Sequence, residues 1–530
     1  MNGCLGRLTV LLCLMLVAGS PRALEPEGES VPVLDGETAA LMGQAMAVRD
    51  ARALSGFEEA FRKGLPADFW DSDERYLRLL AALEDLATDG LNPDDYGVAR
   101  LRQWPEEAAV TRESMASRGY LLALLHLYRG KVDPVALDAH WNFAPGRPAL
   151  DSLLQEARAA AERGEPAAAF NFARPIRPEY NQLRTALARY RGIAHEGGWP
   201  QLPVGKSLKP GQSDPRVPVL RRRLQIAGLA SHEVPADPSL FDDELARAVM
   251  RFQREAYLAA DGVVGPSTRA ALNAPVAERI DQLRANLERM RWVHDPGTGP
   301  MVVVDIAGFR IAYLKEGKAV WTSRVQVGRA YRSTPVFRSR VTHLTLNPAW
   351  TVPPTIMAKD VLPKIRKNRS YLQKNRLKVY TADGRPLAAS AVNWWQPGNI
   401  VLRQQAGEDG ALGQMAIRFP NAYAVYLHDT PHKELFDSSQ RAFSSGCIRV
   451  ENVHELAVLL LDDVVNWSRA GLDAAIAEGK TRQVNLDVPV PILLAYWTVD
   501  VAADGYVSFK TDIYERDKPL VTVLDRLVNL

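Results

Sequence analysis

Cysteine is nearly absent from this chain, with three residues in 530. Two of them, Cys4 and Cys13, fall in the first 23 residues, so a chain trimmed of that segment would hold one thiol, Cys447. One thiol has no internal partner, which excludes a disulfide-stapled scaffold. Long apolar runs are missing too. The one candidate, twelve mostly apolar residues at 8–19 behind Arg7, falls short of the roughly 20 needed to cross a bilayer. It reads as a secretory signal over 1–23, ending near Ala23. Pro21 spoils the Ala18-x-Ser20 cleavage pattern, so an uncleaved anchor is the alternative, and only in that case is a membrane a partner. Charge of one sign is lacking as well. The net charge of +3 falls to +1 without Arg7 and Arg22, which points to neither nucleic acid nor an anionic membrane. There is no His-Glu-x-x-His and no cysteine cluster, so no metal site and no cofactor are expected. A lone thiol in an oxidising compartment is buried, paired between chains, or chemically needed, and its sequence neighbours must decide which.

The chain has 47% apolar and 24% charged residues, an ordinary globular composition, and its length calls for three or four domains. From about 30 to 200 the apolar residues recur at helical spacing, as in Tyr76, Leu80, Leu83 and Ala87. Gly130 closes a run that contains His126, expected to be a satisfied core histidine. This part reads as a helical scaffold. A Gly/Pro-rich linker at 197–211 precedes a compact unit at 212–275, with Phe241-Asp242 opening a helix, Phe252-Gln253 along it, and then Asp261-Gly262-x-x-Gly265-x-x-Thr268. A helical connector at 276–300 follows, with Ile280, Leu283, Leu287 and Met290 on one face.

From Met301 the period changes to two, which predicts strands at 301–306, 309–314, 319–327 and 340–346. An interruption at about 354–397 has a first half rich in Lys and Arg, with Asp360 as its one acid between Lys359 and Lys378. It is either a solvated helical face or a lid whose charge attracts carboxylates. Strands resume at 399–403 and 423–428. Asn452-x-x-Glu455 reads as a capping box, and Asp504-Gly505 as a hairpin turn within a β extension at 481–530.

The decisive stretch is Tyr426-Leu427-His428-Asp429-Thr430, followed after thirteen residues by Ser444-Ser445-Gly446-Cys447-Ile448-Arg449-Val450. A free thiol is a few per cent thiolate at neutral pH, so a nearby histidine must take its proton during attack. His428, expected at a strand end, is the candidate general acid and base, and Cys447 the nucleophile. The backbone amides of Ser445, Gly446 and Cys447 are candidate oxyanion donors, with Gly446 shaping the loop and a helix just beyond it favouring the thiolate. Arg449 and Tyr426 are candidates for substrate binding or loop structure. His432 and His454 are expected at the surface.

The unit at 212–275 resembles the peptidoglycan-binding domain type 1, a small three-helix module. A spacer without ligand is the plain alternative. The segment around the cysteine resembles the active-site motif of L,D-transpeptidases of the YkuD type, a histidine in His-x-Thr followed by Ser-His-Gly-Cys-x-Arg. Ser445 stands where that family usually has a second histidine, a form that looks like its larger members. Asn347-Pro348-x-Trp350, Arg403-Gln404, Ala411-Leu412-Gly413, Phe419-Pro420-Asn421, Tyr496-Trp497-Thr498 and Asp512-Ile513-Tyr514 look like further landmarks. The resemblance implies a multidomain α+β protein with a mostly β catalytic domain, a YkuD-like β-sandwich, at 301–480. It implies an exported enzyme of the periplasm or cell envelope with peptidoglycan as its partner. Its reaction would join stem peptides by 3→3 cross-links through a Cys447 thioester, releasing D-alanine. Water or a lipoprotein as acceptor, or a non-catalytic wall-binding role, are the alternatives.

Overall fold

The computed structural model describes residues 36–104, 111–138, 141, 150–233, 235–293, 298–502 and 505–528. The expected signal at 1–23, with Cys4 and Cys13, lies outside the described residues, as does Asp504.

The scaffold is helical from Gly36–Arg62 to Pro178–His195. Its central helix, Arg112–Arg129, buries Tyr120 through Leu125 on all sides, so six neighbouring α-helices pack around it rather than against one face. Gly130 ends that helix at φ +84°, and a Cβ there would lie 2.4 Å from the Trp292 indole nitrogen. Glycine is needed at this point for both backbone shape and space. His126 is buried between the Tyr96 hydroxyl at 3.1 Å and the Asp50 carboxylate at 3.0 Å, a satisfied core histidine.

Three helices, Val217–Ile226, Asp243–Glu255 and Pro266–Leu272, form the small module around Leu220, Leu224, Phe241 and Val249. Its sequence signature is spent on structure. The Gln253 amide donates to Asp261, the Val263 carbonyl and Thr268, and accepts from the Gly262 amide at 2.9 Å. The signature therefore holds a turn together and leaves ligand contacts to other residues.

The connector helix Val276–Trp292 departs from the expected single apolar face. Most of its second half is buried all round, and its polar residues are neutralised in place: Arg291 pairs with Glu288 at 2.6 Å, Arg289 with Asp517, and Asn286 bonds Thr498 at 2.7 Å. Burying these charges is tolerable only because each has a partner. It packs between the scaffold helix Pro178–His195 and the C-terminal helix Asp517–Leu524, a strut rather than a linker.

The catalytic part opens with β1 (Met301–Asp305), β2 (Arg310–Lys315), β3 (Lys318–Gly328) and β4 (Phe337–Leu346). An insertion then contributes β5 (Trp350–Thr351), β6 (Leu377–Thr381), β7 (Pro386–Leu387) and β8 (Ile400–Gln404). β9 (Met415–Arg418), β10 (Leu427–His428), β11 (Ala442–Ser444), β12 (Ile448–Val450) and β13 (Arg482–Ala495) complete the main sheet. Its order is β11-β3-β12-β10-β9-β4-β13-β1-β2, and β2 also pairs with β3. The two layers are thus joined into a closed ring, with Val304, Leu344, Ile417, Leu427 and Ile448 fully buried in its core. Closure leaves few free sheet edges.

Two expected boundaries move. The strand at 399–403 belongs to the insertion, where β5, β8, β6 and β7 make a separate four-stranded sheet around Ile365, Leu372, Trp394 and Leu402. The insertion therefore spans about 350–404, because a period-two pattern marks a strand without saying which sheet it joins. The segment from 481 is likewise no mere extension. β13 lies between β4 and β1 at the centre of the ring, so the catalytic fold needs residues beyond 480. A hairpin of β14 (Val499–Val501) and β15 (Val507–Phe509) and the helix Asp517–Leu524 follow it.

Candidate active site

β10 and β12 are parallel neighbours, with Leu427 opposite Ile448 and His428 opposite Arg449. One step back, Tyr426 lies level with Cys447, and its carbonyl accepts from the Ile448 amide at 3.1 Å. Side chains alternate along a strand, so Leu427 and Ile448 enter the core while Tyr426, His428, Cys447 and Arg449 share the other face. All four line one cavity of about 940 Å³ between the barrel and the insertion. Parallel strands lie about 4.8 Å apart, so the histidine and the cysteine stand diagonally on neighbouring strands, two register positions apart, and both open on the cavity.

The His428 ring is buried, and its Nδ1 is 2.5 Å from the Asp429 carbonyl. A carbonyl can only accept, so Nδ1 carries the hydrogen and Nε2 is left with the lone pair. Burial, then the charge of Arg449, lowers the His428 pKa to about 3, against a smaller upward pull from Asp429. The imidazole is therefore neutral at physiological pH. The Asp429 carboxylate is used elsewhere, accepting from the Gln414 amide at 3.0 Å and pairing with Lys433.

Burial also pushes the Cys447 thiol up, opposed by the Tyr426 backbone, then by the Arg418 charge, the Tyr426 side chain and the Arg449 charge; the thiol itself donates to the Ala424 carbonyl at 3.7 Å. Tyr426 in turn lies under the Arg418 guanidinium, 3.9 Å from its ring centre. Tyr426 lines the same cavity as Cys447. Arg449 donates to Gln326 at 3.0 Å, makes no ion pair among the described residues, and keeps a buried Nε without a partner. Six cations line the cavity, Arg329, Arg332, Lys359, Lys364, Arg418 and Arg449, against two acids, Asp360 and Asp409. That excess favours a ligand carrying carboxylates.

The Cys447 loop and the segment after it correct three expectations. Its Gly446 adopts φ +113°, which favours glycine, but its amide donates to the Ser444 hydroxyl at 3.1 Å. Gly446 is therefore withdrawn as an oxyanion donor, leaving the amides of Ser445 and Cys447. The loop runs into β12, and the next helix starts only at Val453, too far along the chain for its dipole to act on the sulfur. Asn452 is left-handed at φ +54° and makes no side-chain cap, while Glu455 accepts from the Trp321 indole instead. His432 is exposed at the cavity wall. His454 is half-buried and lies 3.3 Å from Asp473, so it is less superficial than expected.

Several residues around the site carry no sequence signal. The turn after β3 holds the loop: the Arg329 amide donates to the Ser444 carbonyl at 3.1 Å, Arg332 to the Ser445 hydroxyl at 2.9 Å, and the Thr334 hydroxyl to the Gly446 carbonyl at 2.9 Å. The Tyr514 hydroxyl buttresses the turn, donating to the Gly328 carbonyl at 2.7 Å and accepting from the Thr334 amide at 3.1 Å. Tyr514 stacks on Tyr496 at 5.3 Å, which accounts for two of the landmarks near the end of the chain.

Comparison with known proteins agrees with this architecture. A family described as the L,D-transpeptidase catalytic domain, YkuD, matches residues 299–470. A scaffold domain matches 62–187 and a peptidoglycan binding domain 213–272. A Haemophilus influenzae protein named as an L,D-transpeptidase is 31% identical over 242 residues, 45% of this chain and 48% of that one. The N-acetylmuramoyl-L-alanine amidase CwlL of Bacillus licheniformis is 39% identical over 76 residues, 14% of this chain and 21% of its own. The chain thus spans about half the length of the first relative and about a fifth of the second. Among solved structures, an L,D-transpeptidase of Xylanimonas cellulosilytica is 17% identical, with 55% of this chain and 99% of that one covered at a TM-score of 0.19. L,D-transpeptidase 1 of Mycobacterium tuberculosis is 14% identical, covering 37% and 60% at a TM-score of 0.18. At such scores the superpositions carry no argument.

Proposed function

We propose, for a chain that carries an L,D-transpeptidase catalytic domain behind a scaffold domain and a peptidoglycan-binding domain, that Cys447 is the acylated nucleophile of 3→3 peptidoglycan cross-linking. The observation that carries this reading is the shared face of two parallel strands on which His428 and Cys447 lie, with Nδ1 fixed by a carbonyl. Both groups start neutral. As the sulfur attacks the carbonyl of the third stem residue, its proton passes to His428 Nε2, the carbon–sulfur bond forms, and the negative charge moves to the carbonyl oxygen. The amides of Ser445 and Cys447 receive that oxyanion. His428 then protonates the departing nitrogen, D-alanine leaves, and a thioester remains. The amine of a second stem attacks the thioester and loses its proton to His428, which returns it to the sulfur as the cross-link forms. Tyr426 assists by donating to the sulfur as charge builds there. Arg449, with no ion pair among the described residues, faces the substrate side as a carboxylate contact.

Intact-protein mass spectrometry tests the nucleophile. A tetrapeptide stem or a carbapenem should add its acyl mass to the protein and add none to Cys447→Ala; a shift retained in that variant would sink the assignment. The acceptor is tested separately by muropeptide analysis. Dimers support an amine acceptor, whereas trimmed tripeptides alone would make the enzyme an L,D-carboxypeptidase. A lipoprotein acceptor would instead give murein-linked protein. A domain that acts on peptidoglycan belongs outside the cytoplasm, so the working location is the cell envelope or periplasm.

A further inference from the structure

The turn at 329–334 grips the nucleophile loop residue by residue, at Ser444, Ser445 and Gly446. Two of these grips are closed within the barrel. The third is shared. Arg332 Nη1 donates both to the Ser445 hydroxyl at 2.9 Å and to the Asp360 carboxylate at 2.5 Å. Asp360 belongs to the insertion, in a single π-helical turn at Met357–Val361. It is the one acid between Lys359 and Lys378, and the cavity wall it faces bears Arg329, Arg418 and Arg449. Cations therefore confront cations across the cavity, and like charges oppose closure of the insertion over the barrel. The Asp360–Arg332 pair is an attraction that offsets this at the nucleophile loop, with Arg332 15% and Asp360 36% exposed, so solvent screens it in part from the Asp360 side.

We infer that Arg332 is a positioning residue that couples the seating of the 350–404 insertion to the geometry of the nucleophile loop, through one guanidinium nitrogen bonded to Asp360 and Ser445. The inference rests on Cys447 being the acylated nucleophile. When the insertion is seated, Asp360 fixes the guanidinium, the guanidinium fixes Ser445, and the Ser445 amide is held where an oxyanion donor must be.

The two arms make separable predictions for the full-length protein acylated by a tetrapeptide stem. Asp360→Asn cuts the arm to the insertion and should raise the half-saturating concentration about three- to tenfold with the limiting rate nearly kept. Ser445→Ala cuts the loop arm and should lower the limiting rate about tenfold with half-saturation kept, since small misplacements near the reacting atoms are costly. Arg332→Gln should do both, and adding either other change to it should do nothing more. The paired swap Arg332→Asp with Asp360→Arg should restore half-saturation but not the limiting rate. Amide hydrogen exchange needs no acylation. It should show faster exchange in 354–375 for Asp360→Asn, and in both 354–375 and 442–447 for Arg332→Gln. Unaltered exchange and kinetics in Arg332→Gln, or effects of Asp360→Asn that add fully to it, overturn the coupling. A parent protein that shows the exchange pattern but never acylates refutes the nucleophile reading instead.

Discussion

Two histidines are buried among the described residues, His126 in the scaffold and His428 in the barrel, and burial lowers the pKa of both. They differ in what holds the second nitrogen. His126 is saturated, with Tyr96 on Nδ1 and Asp50 on Nε2. His428 has Nδ1 tied to a carbonyl, while Nε2 is left to the cavity that the residue lines. Burial and a shifted pKa thus fail to separate the two, and a ring nitrogen left to a cavity that a thiol also lines does separate them. The largest expected effect follows directly. His428→Ala should slow acylation of Cys447 by a factor of roughly 10²–10⁴, the range of a lost general acid and base. His126→Ala should leave acylation within about threefold, because the sites are distant. It should nevertheless lower the melting transition by the equivalent of about 1–3 kcal/mol, by stranding buried polar groups. Stopped-flow acylation and calorimetry on the two variants check this, and a slow His126→Ala enzyme that melts normally would break the contrast.

The contrast also extends to pH, where the enzyme's two halves should part. His428 is held at about 3, so it stays a neutral base across the working range and acylation should show no acid limb near 6.5. The rate should instead climb with pH as the thiol, pushed up by burial, ionises. Tyr426→Phe removes the hydroxyl proposed to donate to the developing thiolate, so the rise should move to higher pH and acylation at neutral pH should fall about ten- to hundredfold, as for a lost bond to a charged group. Stability runs the other way. A histidine whose folded pKa lies below its unfolded value binds more protons when unfolded, so its contribution is complete above about pH 6.5 and is lost as pH falls below it. Both histidines act in that sense, and melting should decline from pH 6.5 toward 4 while the scaffold and barrel remain intact above it. Acylation profiles and melting curves over pH 4–9 check both. An acid limb near 6.5 in the rate profile would mean that His428 is charged in the resting enzyme.

Much of this site was legible because its central residues lie in one short stretch. His428 and Cys447 are nineteen positions apart, and a strand ending in histidine before a Gly-containing cysteine loop is the pattern on which both proposed roles rest. The supporting residues were not legible for the opposite reason. Arg332, Thr334 and Arg418 come from 29 to 115 positions away, and only the pairing of β3 with β12 and of β9 with β10 brings them to the loop, while Tyr514 was marked in the sequence without its buttressing role. Patterns that were read locally failed where tertiary context decided. Asn452-x-x-Glu455 has the letters of a capping box, but the left-handed Asn452 and the Trp321 indole claim its parts. The 400–404 strand has the right period and the wrong sheet.

The smallest expected effect bears on which part of Asp429 orients His428. The carbonyl is bonded to Nδ1, whereas the carboxylate accepts from the Gln414 amide and pairs with a Lys433 side chain that is 54% exposed. Asp429→Asn keeps the carbonyl and keeps an oxygen for Gln414, and removes only the charge facing Lys433. A half-exposed pair of this kind contributes about 0–1 kcal/mol. Acylation should therefore stay within about threefold, the change such an energy permits. A hundredfold loss would assign the orienting role to the carboxylate, and with it the difference from His126, whose partner is a carboxylate, would disappear.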